Sequence, residues 1–155
     1  NDLYDPPGQI YIQGDARLLN MPMIAIVGSR AASSSGLRNA AWFAQGLSKA
    51  GVLVISGLAR GIDGAAHQAV LELGEDYFTA AVCGTGLDIT YPREHLGLAR
   101  AIIQQGALIS ELPLGIGPKP FHFPRRNRLI AALALGLRRW SQRDGLPPAH
   151  IRVVP

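Results

Sequence analysis

The sequence contains little cysteine, little charge and no long hydrophobic run. Its only cysteine, Cys83, excludes an internal disulfide and a cysteine-based metal cluster, and the apolar residues around it predict a buried, unreactive thiol. No apolar run reaches the roughly 18 residues that a membrane span requires, so no membrane contact is expected. The first residues carry neither the basic nor the apolar segment of a secretion signal, which favours a cytoplasmic location.

The composition is that of a folded globular chain whose positive charge is unevenly placed. With 155 residues, 48% of them hydrophobic and 17% charged, the chain is long enough for one domain with a buried core. The net charge is +4, but the residues from Leu112 onward carry eight basic side chains and one acidic side chain. This clustering predicts a polyanionic partner. A general bias toward arginine is the alternative explanation, since thirteen of the fifteen basic residues are arginines.

Short apolar segments alternate with segments of helical character along the chain. Strands are predicted at residues 10–13, 23–27, 52–55, 78–83 and 107–110, and helices at residues 37–50, 65–73, 95–105 and 129–135. The first strand is expected at the sheet edge, and residues 113–124 are expected to form a loop. Because strands and helices alternate, the strands should pair in parallel through right-handed crossovers. The predicted fold class is α/β, a Rossmann-like three-layer sandwich with a mostly parallel sheet.

Glycines and small polar residues follow several of the predicted strands. They form the segments Gly28-Ser29-Arg30, Ser56-Gly57, Gly84-Thr85-Gly86 and Ser110-Glu111. Because the carboxyl ends of parallel strands share one edge, we expect a glycine-lined shelf on which Arg30 and Arg60 could hold phosphates. The residues from Gly28 do not fit G-x-G-x-x-G, and no P-loop pattern is present, so a standard dinucleotide or P-loop site is unsupported. A tight turn with a solvated arginine is the structural alternative.

Candidates for catalysis are few. Asp63 is expected to cap the helix that follows the glycine-rich turn, and His67 to form a buried polar pair with it, with a catalytic orienting pair as the alternative. Glu111 is a candidate general base, but no motif places a nucleophile near it. The four histidines are scattered without the spacing of metal ligands, so no metal is expected.

The segment from Lys119 to Arg128 interleaves basic side chains with Phe121, His122 and Phe123. Aromatic faces stack on bases while arginine and lysine follow phosphates, which is the chemistry of single-stranded nucleic-acid binding. The structural alternative is that the phenylalanines belong to the core and the arginines are solvated.

Five motifs in register resemble the DNA-processing protein A family (DprA, also called Smf). They are Gly28-Ser29-Arg30, the stretch from Ser56 to Asp63 with Ala66-His67, Gly84 to Asp88 with Tyr91-Pro92, Ser110-Glu111, and Phe123-Pro124 with Arg126-Asn127-Arg128. Their order and spacing agree over about residues 6–136. The resemblance implies a homodimeric, non-enzymatic protein without cofactor that binds single-stranded DNA and helps to load a RecA-type recombinase during DNA uptake and natural transformation.

The resemblance also implies which residues contact DNA. The resemblance and the predicted glycine-lined shelf together give the following DNA-contacting residues: Gly28, Ser29, Arg30, Arg60, Lys119, Phe123, Arg126, Asn127 and Arg128. Arg30, Arg126 and Arg128 should hold phosphates, Ser29 and Asn127 should add hydrogen bonds, and Phe123 should stack on a base or support the loop from beneath. The rival is a nucleotide-binding enzyme of the related phosphoribohydrolase-like group, although its Pro-Gly-Gly-x-Gly-Thr motif is absent.

The sequence departs from the family pattern after Gly136. We divide it into a lead-in segment (1–22), a Rossmann-like DNA-binding domain (23–136) and an atypical basic tail (137–155). In place of the family's apolar strand and the helix after it, residues 137–148 are basic and proline-rich, and a frameshift with early termination is hypothesised. The stability of the chain is then in question, and a nonfunctional fragment is a third alternative.

Overall fold

A computed structural model describes residues 8–134 and 151–155 of the chain. The strands of this described part are β1 (Ile10–Gly14), β2 (Met23–Ala25), β3 (Leu53–Ser56), β4 (Thr79–Val82), β5 (Gly106–Ser110) and β6 (Ile151–Val153). Its α-helices are α1 (Ser34–Lys49), α2 (Ile62–Leu71), α3 (Leu96–Gln104) and α4 (His122–Ala134). Short 3₁₀ turns lie at Ala16–Asn20 and Arg93–His95.

All of these strands belong to one sheet, in the order β2-β3-β4-β5-β1-β6. Only β1 and β5 pair antiparallel, and every other neighbouring pair is parallel, which confirms the predicted α/β fold with a mostly parallel sheet. The prediction that the first strand lies at the sheet edge is wrong. β1 lies between β5 and β6, because residues 151–153 pair with it in parallel.

Helices cover both faces of the sheet and give the fold its three layers. In β3, Leu53 and Ile55 are buried in one cluster with residues of α4, whereas Val54 between them is buried with residues of α1 and α2. On the same side as Val54, Leu108 of β5 clusters with Ile102 of α3. Alternate residues of the central strands therefore point into two helical layers, as their continuous apolar sequences predict.

All four helices begin at other residues than predicted, α1 at Ser34 and α3 at Leu96, and the differences at α2 and α4 bear on the site. α2 begins at Ile62, after Gly61, so Asp63 lies inside the first turn and does not cap the helix. α4 begins at His122, seven residues before the predicted start at Leu129. Pro124 is compatible with this early start because the first N–H groups of a helix have no partner within the helix. The end of the predicted loop is therefore the first turn of α4.

His67 of α2 is completely buried, but its partner is not Asp63 as predicted. Its Nδ1 lies 2.8 Å from the hydroxyl of Thr79, and that hydroxyl donates its only hydrogen to the carbonyl of Val54 at 2.9 Å. Nδ1 must therefore carry the proton of the neutral ring and donate it to Thr79. Nε2 is buried without a partner in the described residues, and burial lowers the pKa of His67 to about 3.

The tail contributes β6 to the sheet edge opposite β2. The N–H of Val154 donates to the carbonyl of Ile12 at 2.6 Å, and Val154 packs on the cluster that contains Leu108. The frameshift hypothesis is based on residues 137–148, which lie outside the described part of the chain. In the described residues, no helix is long and apolar enough to cross a bilayer.

The buried neutral His67 predicts a loss of stability in acid. The pKa of His67 is depressed in the folded state, so below its ordinary value of 6.5 the unfolded chain binds a proton that the folded chain excludes. Between pH 7 and pH 5 this should remove about 2 kcal/mol from the free energy of unfolding. Urea titrations of the wild type and His67→Gln at both pH values check this. Equal losses in the two proteins would contradict it.

Candidate functional site

The loops that follow β2 and β3 pack directly on each other at the carboxyl edge of the sheet. The N–H of Ile62 donates to the carbonyl of Ser29 at 3.2 Å. Gly61 between them has φ +77°, and a β-carbon there would lie 2.2 Å from the Ser29 carbonyl oxygen, so the contact requires glycine. In the second loop, the Asp63 carboxylate accepts the N–H of Gly57 at 3.0 Å and fixes the turn after β3. The two loops therefore form one continuous wall.

Arg126 of α4 is buried beneath this wall, with 5% of its surface exposed. Its Nη1 donates to the carbonyl of Gly57 at 2.5 Å and to the carbonyl of Val82 at 2.9 Å, and its Nε donates to the Asn127 side chain at 2.9 Å. Burial lowers the pKa of Arg126, while the charge of nearby Asp63 acts in the opposite direction. The guanidinium thus joins the ends of β3 and β4 to the first turns of α4.

Arg126 also forms part of a shallow, open cleft at this edge. The cleft is lined by Arg30, Gly57, Ala59, Arg60, Tyr91, Pro92, Phe123 and Arg126. The guanidinium carbons of Arg30 and Arg126 lie 5.4 and 5.6 Å from the centre of the Phe123 ring, within the range of cation–π attraction. Three guanidinium groups around two aromatic rings make the cleft suitable for an anionic ligand with flat apolar parts.

Arg60, which is exposed in the cleft, contacts both an aromatic ring and a carboxylate. Its guanidinium carbon lies 5.9 Å from the centre of the Tyr91 ring, and its Nε is 2.5 Å from a carboxylate oxygen of Glu94. The hydrogen bond with Glu94 raises the pKa of Arg60 and holds the pKa of Glu94 below its usual value. The ring of Tyr91 in turn lies 5.3 Å from that of Phe123.

Glu111, the candidate general base at the end of β5, is engaged by two arginines. Its carboxylate accepts a hydrogen bond of 2.6 Å from Arg128 and lies 3.4 Å from Nε of Arg125. Each of its two carboxylate oxygens therefore faces a guanidinium group of α4. This arrangement suits a structural anchor for α4 better than a base.

The structure brings together four of the nine predicted contact residues. Arg30, Arg60, Phe123 and Arg126 line the cleft, whereas Gly28, Ser29, Lys119, Asn127 and Arg128 do not. Gly28 and Ser29 are exposed in the same loop as Arg30, and the Ser29 hydroxyl accepts the N–H of Ala31 at 3.1 Å. Lys119 is exposed just before α4, and its carbonyl accepts the N–H of His122 at 2.9 Å.

Tyr91 and Pro92 are lining residues that the predicted set omits. They belong to the loop between β4 and α3, and 37% of the Tyr91 surface is exposed. The Tyr-Pro pair is present in the sequence motif, but only its nearness to Arg60 and Phe123 shows that it belongs to the cleft.

Cys83 is buried as predicted, and burial raises the pKa of its thiol to about 12. In the described segments, no group of three or more His, Cys, Asp or Glu side chains could hold a metal ion.

Comparison with known proteins identifies relatives along most of the chain. The family model of DNA recombination-mediator protein A matches residues 1–138. Protein Smf of Escherichia coli is 44% identical over 134 residues, which are 86% of this chain and 35% of that protein. DNA processing protein DprA of Streptococcus pneumoniae is 42% identical over 137 residues, which are 88% of this chain and 48% of that protein. The chain thus spans about a third to a half of these relatives.

Two solved structures share the fold. The crystal structure of DprA from S. pneumoniae matches with a TM-score of 0.75 and 44% identity, covering 80% of this chain and 43% of that chain. DNA processing protein A from Helicobacter pylori, whose structure concerns its single-stranded DNA binding mode, matches with a TM-score of 0.78 and 28% identity. That match covers 99% of this chain and 75% of the other.

The geometry around Arg126 predicts that Gly57→Ala will destabilise the protein. A β-carbon at Gly57 would lie 2.7 Å from the guanidinium carbon of Arg126 and 2.7 Å from the Asp63 carboxylate. The resulting shift of buried groups should lower the free energy of unfolding by about 1–3 kcal/mol. Urea denaturation followed by circular dichroism measures the change.

Gly46→Ala is the matched control for this substitution. Gly46 lies inside α1 with nothing within 4 Å of its β-position, so the same change should raise stability by up to about 1 kcal/mol. Equal effects at the two glycines would show that Arg126 does not depend on the space at Gly57.

Proposed function

Because the chain belongs to the DNA recombination-mediator protein A family, we propose that it binds single-stranded DNA in the cleft at the carboxyl edge of the sheet. The observation that supports this proposal most strongly is the grouping of Arg30, Arg60 and Arg126 around Phe123 and Tyr91. Guanidinium groups bind phosphates, and aromatic side chains provide surfaces for bases. The binding of single-stranded DNA by the H. pylori relative gives independent support.

We assign the phosphate contacts mainly to Arg30 and Arg60. Both are exposed at the cleft, whereas Arg126 already donates to two backbone carbonyls and Arg128 to Glu111. Arg126 then acts as a positioning residue and adds positive potential from beneath. In this proposal the backbone around Gly28, the side chains of Ser29 and Asn127, and Lys119 extend the path of the strand beyond the cleft.

The two aromatic rings have different proposed roles. Phe123 is contacted by Arg30, Arg126 and Tyr91, so we assign it to the support of these three side chains. Tyr91 is the more suitable surface for a base, because more than a third of it is exposed at the mouth of the cleft. Of the two roles that the sequence allows for Phe123, this proposal takes support of the neighbouring side chains.

The wider activity proposed is that of a recombination mediator. Binding of single-stranded DNA by a homodimer that loads a RecA-type recombinase in the cytoplasm, during DNA uptake, is consistent with the family to which the chain belongs. We propose no catalytic step, because the described cleft offers guanidinium groups and aromatic rings and its neighbouring carboxylate Glu111 is held by arginines. The proposed role is therefore to hold single-stranded DNA and present it to the recombinase.

The proposal predicts a specific effect of Arg30→Ala. Loss of one phosphate contact should weaken the binding of a labelled oligo-dT by about tenfold, since a hydrogen bond to a charged group contributes roughly 1.5–3 kcal/mol. It should also reduce the slope of log K against log salt by about 0.7, the value per phosphate for single strands. Fluorescence anisotropy over a salt series measures both quantities.

Arg38→Ala is the matched control, because Arg38 is an exposed residue of α1 outside the cleft and its loss changes the net charge equally. It should leave affinity and slope nearly unchanged. If Arg30→Ala and Arg38→Ala behave alike, or if the folded wild type does not bind, the cleft is not a DNA site. The same protein tested for nucleotide hydrolysis would then examine the rival enzyme.

A further inference from the structure

The ion pair between Arg60 and Glu94 places a carboxylate where a phosphate would bind. Arg60 lines the proposed DNA cleft, and its Nε donates to Glu94 at 2.5 Å. A carboxylate and a phosphate present the same kind of anionic oxygen to a guanidinium group. We propose that Glu94 is a built-in competitor, which occupies Arg60 in the free protein and is displaced by a backbone phosphate when single-stranded DNA binds. The inference rests on the proposed function of the cleft.

The exposure of the pair makes displacement possible. About half of each side chain is exposed, 49% for Arg60 and 55% for Glu94. Such surface pairs contribute little to stability, so a phosphate can replace the carboxylate at small cost. The side chains of Arg128 and Glu111 are only 22% and 9% exposed, and exchange of that pair would leave a buried carboxylate with only the longer contact to Arg125, at 3.4 Å. Of these two ion pairs, only the one at Arg60 is suited to exchange.

The backbone around the pair is fixed, so the exchange needs only side-chain movement. Glu94 lies in the 3₁₀ turn Arg93–His95, and Nδ1 of His95 is 2.8 Å from the carbonyl of Leu58 in the loop that carries Arg60. This contact sets the distance between the two backbones. The ring of Tyr91, 5.9 Å from the Arg60 guanidinium carbon, keeps Arg60 at the cleft when Glu94 turns away.

The competitor is charged under ordinary conditions. The hydrogen bond from Arg60 lowers the pKa of Glu94, so its carboxylate is ionised at neutral pH. Removal of this charge should therefore increase the affinity for DNA, which is the opposite of what a DNA-contacting residue would show. The direction of the effect distinguishes a competitor from a contact.

The test compares Glu94→Gln with Glu75→Gln in binding of labelled oligo-dT. Glu75 is exposed in the connection between α2 and β4, at the amino ends of the strands and thus opposite the cleft. Its substitution changes the net charge equally. Glu94→Gln should bind about two- to fivefold more tightly than the wild type, the range of an exposed ion pair, and Glu75→Gln should not. The lines of log K against log salt for Glu94→Gln and the wild type should be parallel, because the same phosphates are neutralised.

The same comparison in the Arg60→Ala variant tests whether the effect of Glu94→Gln acts through Arg60. In Arg60→Ala, the further change Glu94→Gln should have no effect beyond that of Glu75→Gln, because no guanidinium remains to be released. If Arg30→Ala weakens binding but Glu94→Gln leaves it unchanged or weaker, the competitor inference is overturned and the DNA site stands. If the wild type does not bind, both fail. Circular dichroism of each variant confirms that it is folded.

Discussion

The buried guanidinium of Arg126 is the interaction on which the candidate site depends. A buried cation costs several kcal/mol unless its donors are satisfied, and here the carbonyls of Gly57 and Val82 accept from it. These two carbonyls belong to the ends of neighbouring parallel strands, so a side chain of α4 closes the edge at which the strands stop. The same guanidinium lies near the Phe123 ring and so positions the aromatic part of the cleft.

The arginines of the basic stretch have distinct electrostatic environments, although they look equivalent in the sequence. Arg126 is buried among carbonyls and Arg128 is paired with Glu111, while Arg30 and Arg60, far earlier in the chain, are exposed at the cleft. A count of basic residues in the second half of the chain therefore overstates the share of that segment in the exposed positive surface of the cleft. In the part of that segment that the structure describes, Arg126 and Arg128 use their charge to hold α4 in position.

The sequence was sufficient for the architecture because glycines mark the ends of the elements and because the central strands are apolar on both faces. It was insufficient wherever a distant contact decides the outcome. The start of α4 at His122 was missed because Pro124 resembles a helix breaker until it is placed in a first turn. The burial of Arg126, the pairing of His67 with Thr79 and the place of Tyr91 in the cleft all depend on residues remote in sequence, which no local pattern contains.

The backbone contact between Gly61 and Ser29 has a consequence for the entropy of binding. Because the two loops rest on each other and Asp63 fixes the turn after β3, the wall of the cleft has little conformational freedom to lose. Ordering a flexible loop on association has a cost that such a preformed wall avoids. When a flexible ligand binds there, most of the conformational entropy that is lost would be the ligand's own. The affinity would therefore depend more on the stiffness of the ligand than on that of the protein.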